Sequence, residues 1–376
     1  MQYRTYNKTG EKVSLLGFGA MRLPETPEGK IDAAESVKMI RFAIDSGVNY
    51  VDTAYSYNGG ASEEAVGKAL KDGYREKVFL ADKMPIWLAG DASGIPRIFN
   101  EQFKRLEVDV IDMYLAHNMT APLWKLMKKF NALDFLEKKK SEGKIKHIGF
   151  SFHDEPALFR EIIDAFDWDF CQIQLNYMDA EYQAGVEGLK YAADKGIQAV
   201  IMEPVKGGLL TDALPESVKK FWNGADTQRT PAEWALRWVA DFPEVLTILS
   251  GMSTMAQVEE NIRILSGAQP GGMTEKEHDI IRKVAGVYNE LIQYPCTSCR
   301  YCLPCEQKIN IPLAMSMYNN WFLYAQSEKI KNSYKLWFTE GRAASDCTKC
   351  KSCEDRCPQH LNISEMMEKA ADIFEK

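Results

Sequence analysis

The sequence predicts an α/β protein, a (β/α)8 barrel with a small helical module appended at its C-terminal end. Three observations predict it. Short β-rich runs alternate with amphipathic stretches over roughly 270 residues, the count and length of eight β–α units. No G-x-G-x-x-G follows the first run, which argues against a doubly wound open sheet; the Gly17-Phe-Gly19 pair lies inside that run. Eight of the nine cysteines fall in two short runs near the C-terminus.

Taken in order, the β-rich runs are Val13–Ala20, Val48–Thr53, Val78–Ala81, Val110–Ala116, His147–Ser151, Phe170–Asn176, Gln198–Met202 and Leu246–Ser250. Amphipathic stretches between them include Ala33–Ser46, Glu63–Lys71, Leu133–Glu142, Ala157–Ala165, Val186–Lys195, Pro231–Asp241 and Met255–Leu265. Asp32 and Ser62 are N-cap candidates, Gly47 and Gly196 are C-terminal stops, and Pro231 suits a first helical turn. The glycine-rich stretch Ser266–Gly272 is the linker candidate. It divides the chain into a TIM barrel over residues 1–270 and a helical module over 271–376.

The cysteine spacing identifies the module. The first run is Cys296-x2-Cys299-x2-Cys302-x2-Cys305, and the second is Cys347-x2-Cys350-x2-Cys353-x3-Cys357-Pro358. Two-residue gaps let successive thiolates converge, and a closing Cys-Pro ends such runs in two-cluster ferredoxins. Eight thiolates are the ligand set of two 4Fe–4S clusters in a ferredoxin-like domain, with the fourth cysteine of each run crossing to the other cluster. Zinc also takes tetrahedral sets of four thiolates, but four cysteines in one run suit a cluster better. Disulfides would need an oxidising compartment. The ninth cysteine, Cys171, sits in an apolar run and reads as a small buried hydrophobe.

Composition narrows the function classes. With 45% apolar and 26% charged residues the chain suits a soluble protein with a large core. A net charge of −7 argues against nucleic-acid binding. The N-terminus lacks an apolar h-region and no run is long enough to span a membrane, so no signal peptide and no membrane association are expected. Thiolate-bound clusters point to the reducing cytoplasm. The aromatic group Trp321, Phe322, Tyr324, Tyr334, Trp337 and Phe338 is expected to pack the small domain against the barrel, with a wall over the barrel mouth as the alternative.

In a barrel, chemistry collects at the C-terminal ends of the strands. Those ends carry Asp52, Lys83 and His117, with Tyr57 in the loop after Asp52. An acid, a phenol, an amine and an imidazole at consecutive strand ends form a proton-transfer device. An ammonium beside Tyr57 is expected to lower the phenol's pKa, with the carboxylate pinning that ammonium.

These residues sit in motifs that resemble the aldo-keto reductases. Val51-Asp52-Thr-Ala-Tyr-Ser-Tyr57-Asn-Gly-Gly-Ala-Ser-Glu63 resembles the family's signature segment, and Ala81-Asp82-Lys83 its lysine strand. Asp112-Met-Tyr-Leu-Ala-His117 resembles its D-x-Y-x-x-H motif, and Gly143-Lys-Ile-Lys-His-Ile-Gly-Phe-Ser151 its G-K-[IV]-[RK]-x-[IL]-G-x-S strand. Glu260-Asn261 is similar to the Glu-Asn of the cofactor helix, and the resemblance covers about residues 1–267. The run Cys296-Thr-Ser-Cys-Arg-Tyr-Cys-Leu-Pro-Cys305 with Ile309-Asn-Ile-Pro312 resembles the tail of the family's iron–sulfur branch.

The resemblance implies reduction of a small-molecule carbonyl, or oxidation of the alcohol, with NADPH or NADH. Tyr57 would be the general acid, Lys83 held by Asp52 would tune it, and His117 would orient the carbonyl. Ser151 and Gln172 would bind the nicotinamide amide, with Met202 at the ring-stacking position. Lys206 and Gly207 would border the diphosphate, while Ser250, Gly251, Gln257, Glu260 and Asn261 would form the adenosine end. The sequence departs from the family pattern in three ways. Phe152 stands where Asn is usual, Met202 replaces an aromatic, and Gly251 and Gln257 stand near the places of basic residues that grip a 2′-phosphate; Lys206 is the substitute cation. The clusters would be structural or would link to a redox partner protein. The alternative function is an electron-transfer or redox-sensing subunit whose barrel binds nucleotide with little turnover.

Overall fold

Eight parallel strands close into a barrel in the computed structural model, which describes residues 1–211, 214–323, 328–338 and 341–376. A hairpin of β1 (Tyr3–Thr5) and β2 (Lys12–Ser14) precedes it. The barrel strands are β3 (Leu16–Gly19), β4 (Tyr50–Asp52), β5 (Phe79–Met84), β6 (Ile111–Met119), β7 (Ile145–Phe152), β8 (Phe170–Gln174), β9 (Gln198–Met202) and β10 (Val245–Ser250). They pair in sequence order, and β10 closes on β3. The helices around and after them are α1 (Ala33–Asp45), α2 (Ala61–Ala69), α3 (Gly94–Leu106), α4 (Ala121–Lys129), α5 (Ala132–Ser141), α6 (Pro156–Ala165), α7 (Gly185–Asp194), α8 (Glu216–Asn223), α9 (Pro231–Ala240) and α10 (Met255–Ser266). Then come α11 (Glu275–Leu291), α12 (Ile311–Leu323), α13 (Glu328–Trp337), α14 (Ser352–Asp355) and α15 (Ile363–Phe374).

Strand burial explains why the runs are apolar throughout. Every residue of β3, β4 and β8 is buried, as expected for parallel strands covered on both faces. The hairpin delivers Tyr6 and Val13 to a cluster with Tyr50, Phe170 and Leu246, which lie at or near strand starts. The opposite, C-terminal ends are left for polar side chains.

Local signals behave unevenly. Asp32 caps α1, accepting from the N–H groups of Ala34 and Glu35, and Pro231 opens α9. Gly47 and Gly196 take the left-handed φ that ends a helix. Ser62 is not the N-cap of α2; Gly60 occupies that position. The Ser62 hydroxyl donates instead to the Ala20 carbonyl at 2.7 Å, tying α2 to the end of β3.

The chain separates into two compact units. The first comprises Met1–Pro204 and Ala232–Thr274, and the second Val205–Pro231 and Glu275–Lys376. In the second unit α8 packs on α11, and Arg229 pairs with Glu277 at 2.6 Å. Its apolar core centres on Tyr334, which stacks on Phe338 and Phe374 at 4.4 and 4.6 Å. Trp321 meets Phe374 edge-on and Phe322 meets Tyr318, so both pack inside this unit. Trp337 is 65% exposed. Tyr324 lies outside the described residues.

Helix α2 lies so close to α3 that a Cβ on Gly67 would stand 2.6 Å from the Leu106 carbonyl oxygen, a backbone atom that cannot step aside. Gly67→Ala is therefore expected to lower stability by about 1–3 kcal/mol, the usual cost of overpacking. A fall in the denaturant midpoint with an unchanged slope would register it; an unchanged midpoint would refute it.

Candidate active site

Asp52 ends β4, Lys83 lies in β5 and His117 in β6. Tyr57 opens a short turn after β4, where Asn58, Gly59 and Gly60 all take left-handed φ and reverse the chain into α2. Asn-Gly-Gly is the sequence reason for that reversal, because these residues tolerate positive φ.

The lysine organises the site. Lys83 is fully buried, and its Nζ donates to Asp52 Oδ2 at 2.5 Å, to the Thr53 carbonyl at 2.8 Å and to Tyr57 Oη at 3.2 Å. An ammonium has three donors, and all three are used. Beneath it, Asp82 Oδ1 accepts from the Lys83 N–H, and Gln102 Nε2 donates to Asp82 Oδ2 and to the Lys83 carbonyl. Glu63 pairs with Arg105 on the same layer. His117 stands edge-on to Tyr57 with ring centroids 5.9 Å apart, and Trp87 tilts against His117 at 5.2 Å. Trp87, Gln102 and Glu63 were not singled out from the sequence as site residues; only their nearness to the lysine strand and the signature segment could have drawn attention to them.

Burial sets the protonation states. It raises the Tyr57 phenol well above 10, and the negative charges of Asp52, Glu203 and Asp82 add to this while Arg22 opposes it. The expected lowering by Lys83 is thus outweighed, because the phenol is dry and Asp52 already answers the ammonium. Burial also raises the Asp52 carboxyl and lowers the Lys83 ammonium, and their mutual attraction opposes both shifts. Burial, then the charge of Lys83, drives the His117 imidazolium well below 6.5. The tetrad holds a neutral phenol and a neutral imidazole at pH 7.

The expected cofactor residues fall in three groups. At the ends of β7, β8 and β9, Ser151 Oγ accepts from the Asn118 N–H at 2.7 Å, and Gln172 Nε2 donates to Met202 Sδ at 3.4 Å. At the end of β10, Asn261 donates to Ser250 Oγ at 2.9 Å, and the Arg22 stem lies across Gly251 while its guanidinium pairs with Glu203 at 3.5 Å. Gln257 closes a capping box with Thr254 at the start of α10, and Glu260 lies on the same helix. Lys206 and Gly207 belong to the second unit, where a Cβ on Gly207 would fall 2.3 Å from the Thr297 carbonyl. The buried Gln172 Oε1, without a partner among the described residues, and the Ser151 hydroxyl hydrogen fit a ligand carboxamide, so these residues suit a nicotinamide.

The two cysteine runs wind alike. Ser298 and Arg300 in the first, and Lys349 and Lys351 in the second, have left-handed φ at matching offsets from the cysteines. Such turns aim backbone N–H groups inward, as in iron–sulfur sites; the Ser298 N–H donates to Cys296 Sγ at 3.3 Å. Burial raises the Cys302 thiol, and Cys299, Cys296, Cys357 and Cys353 raise it further, so the second run lies within electrostatic reach of the first. Cys353 is pushed up to about 11 by burial, Glu354 and Cys347. Among the described residues no three His, Cys, Asp or Glu groups close on a single-ion site. The donor set fits a cluster spread over both runs.

A closed parallel barrel with this tetrad defines an oxidoreductase of the barrel type. The chain belongs to the aldo/keto reductase family, whose family model matches residues 15–284, and a 4Fe-4S dicluster domain matches residues 295–362. It is 26% identical over 308 residues to L-galactose dehydrogenase of Arabidopsis thaliana, covering 73% of this chain and 92% of that protein. It is 27% identical over 298 residues to the NADH-specific methylglyoxal reductase of Escherichia coli, covering 68% and 90%. Among solved structures, the holo form of an aldo-keto reductase from Bacillus halodurans aligns with a TM-score of 0.62 at 27% identity, over 76% of this chain and 96% of that one. No helix among the described residues is long and apolar enough to cross a membrane.

The protonation states give a pH signature. His117 is lowered from 6.5, so it is neutral above that pH; Tyr57 is raised from 10, so it keeps its proton up to that pH. kcat/KM for carbonyl reduction is therefore expected to stay level between those limits. A profile that falls through an apparent pKa between 7 and 9 would show that Tyr57, or the Lys83 ammonium that burial lowers, loses its proton early, and would overturn the expectation.

Proposed function

We propose that the protein reduces an aldehyde or ketone, or oxidises the corresponding alcohol, with NADPH or NADH, and that its tail holds two 4Fe–4S clusters. The observation that carries the reading is the buried Lys83 with its three donors spent on Asp52, Thr53 and Tyr57. A neutral phenol beside a fixed ammonium can give a proton to an oxygen that is becoming an alkoxide. As the proton leaves, Lys83 faces the new phenolate and stabilises it, while Asp52 keeps the ammonium from drifting. The neutral His117, in edge contact with Tyr57, orients the carbonyl oxygen by hydrogen bonding. Ser151 and Gln172 hold the nicotinamide amide, and Ser250, Asn261 and the Arg22–Glu203 pair frame the dinucleotide near β10. A bound nicotinamide supplies the hydride. The enzyme reading is preferred over a nucleotide-binding subunit because the proton donor, its lysine and the lysine's carboxylate are all in contact.

For the clusters, we assign Cys296, Cys299, Cys302 and Cys357 to one and Cys347, Cys350, Cys353 and Cys305 to the other. The closing Cys357-Pro358 of the second run and the matching offsets of the left-handed residues in both runs support this exchange of fourth ligands. The clusters serve as a structural core for the small domain.

Two experiments test this. Tyr57→Phe keeps the ring and removes the donor, so carbonyl reduction should fall by about two to four orders of magnitude, with dinucleotide affinity little changed; retention of most activity would eliminate Tyr57 as the acid. Cys299→Ser and Cys350→Ser should each lose iron and acid-labile sulfide and lower the melting temperature, because metal binding stabilises so small a core. Zinc without sulfide in anaerobically prepared wild-type protein would overturn the cluster assignment.

A further inference from the structure

Strands β6 and β7 leave register at the barrel mouth. Ala116 pairs with Phe150 and Met119 with Phe152, so three steps along β6 match two along β7. The extra residue falls at His117–Asn118, opposite Ser151. A bulge of this kind re-aims side chains that strict alternation would send to opposite faces. Asn118 supplies the kink with φ +60, a conformation that Asn adopts more readily than most residues. Its N–H donates to Ser151 Oγ, while its own Oδ1 is buried with no hydrogen-bond partner among the described residues.

A second amide oxygen is in the same condition one strand further on. Gln172 is 2% exposed, its Oε1 has no partner among the described residues, and its Cα pairs with that of Ser151 across β7 and β8. Its Nε2 is spent on Met202 Sδ, which fixes which end of the amide is left over. Between the two oxygens stands Ser151, whose Oγ already accepts and whose hydrogen remains to donate. One hydroxyl donor flanked by two orphan acceptors complements a primary carboxamide, which offers one acceptor oxygen and two N–H donors. Phe152, the next residue of β7, contributes nothing polar; it is fully buried against Phe150 and Phe159.

We propose that Asn118 is a cofactor-positioning residue: its Oδ1 accepts one carboxamide N–H of the nicotinamide, opposite the N–H taken by Gln172. The assignment rests on the dinucleotide reading above. It gives the bulge a purpose, since the same irregularity sets His117 and Asn118 side by side, one toward the carbonyl and one toward the cofactor amide.

The test is a fluorescence titration of full-length, cluster-loaded protein with NADP+, NAD+ and their 3-acetylpyridine analogues, in which a methyl replaces the amide NH2. The wild type should prefer the parent dinucleotide. In Asn118→Gly, which keeps the left-handed backbone, that preference should narrow by about three- to tenfold, the worth of one neutral hydrogen bond. Asn118→Ala is the second variant should the glycine form fail to fold, and Asn118→Asp, which retains an acceptor, should keep the preference. Equal weakening of parent and analogue in both truncated variants would make Asn118 merely structural and overturn the proposal. A wild type that binds neither NADP+ nor NAD+ would instead bring down the dinucleotide reading, and this inference with it.

Discussion

A fully buried ammonium is the constraint on which the catalytic end of the barrel depends. Lys83 has no access to water, so each of its hydrogens must find an oxygen inside the protein. Asp52 and the Thr53 carbonyl come from the end of β4, and Tyr57 comes from the turn directly after it. Pairing of Asp52 with Ala81 across β4 and β5 brings that strand end alongside the lysine strand. The layer of Asp82, Gln102 and Tyr114 below then fixes the β5 backbone, with Tyr114 donating to Gln102 at 2.5 Å. Removing Asp52 would leave a charge buried without compensation, and removing Tyr57 would leave one ammonium donor unpaired, which is why the acid, the phenol and the amine form one unit.

The same burial decides what kind of chemistry the site can hold. An exposed tyrosine beside a lysine would drift toward phenolate; a dry one beside an already paired lysine keeps its proton. The site therefore stores a proton next to a cation that becomes useful only when the proton leaves. His117 completes the arrangement as a neutral ring, since a second positive charge near Lys83 is disfavoured. Carbonyl reduction needs this polarity: donors in place before negative charge develops, and no net charge that would bind the ground state equally well.

The second unit obeys a different rule. Cys302 lies in its apolar cluster, with Cys296, Cys305, Cys347, Cys353 and Cys357 packed against it, and the backbone turns around these thiols with left-handed residues at repeated offsets, Ser298 and Arg300 answering Lys349 and Lys351. Side chains gain little from such φ values; in the first run the turn lets the Ser298 N–H meet the Cys296 sulfur. The segment Val205–Pro231 joins this unit, although it follows a barrel strand in sequence. Close contact between Gly207 and Thr297 leaves no room for a side chain there, which ties the loop after β9 to the first cysteine run.

What was legible in the sequence follows from how local each feature is. Strand and helix periods are local, so the eight β–α units and the strand-end positions of Asp52, Lys83 and His117 could be read directly, and cysteine spacing is local as well. Register is not. The slip between β6 and β7 depends on two strands at once, so Asn118 passed for an ordinary residue after His117. Ser62 looked like a helix cap because caps are identified by type and position, but a carbonyl at the end of β3 competed for its hydroxyl and won. Gln257 read as a residue near the place of basic side chains that grip a 2′-phosphate, and its side chain also closes the capping box at the start of its own helix. In each case the missing information is a partner brought in by the fold. A polar residue's type can be read from sequence, but its hydrogen-bond partner is set by packing; at this barrel mouth the orphaned oxygens of Asn118 and Gln172 carry more about the ligand than the residues whose partners are already found.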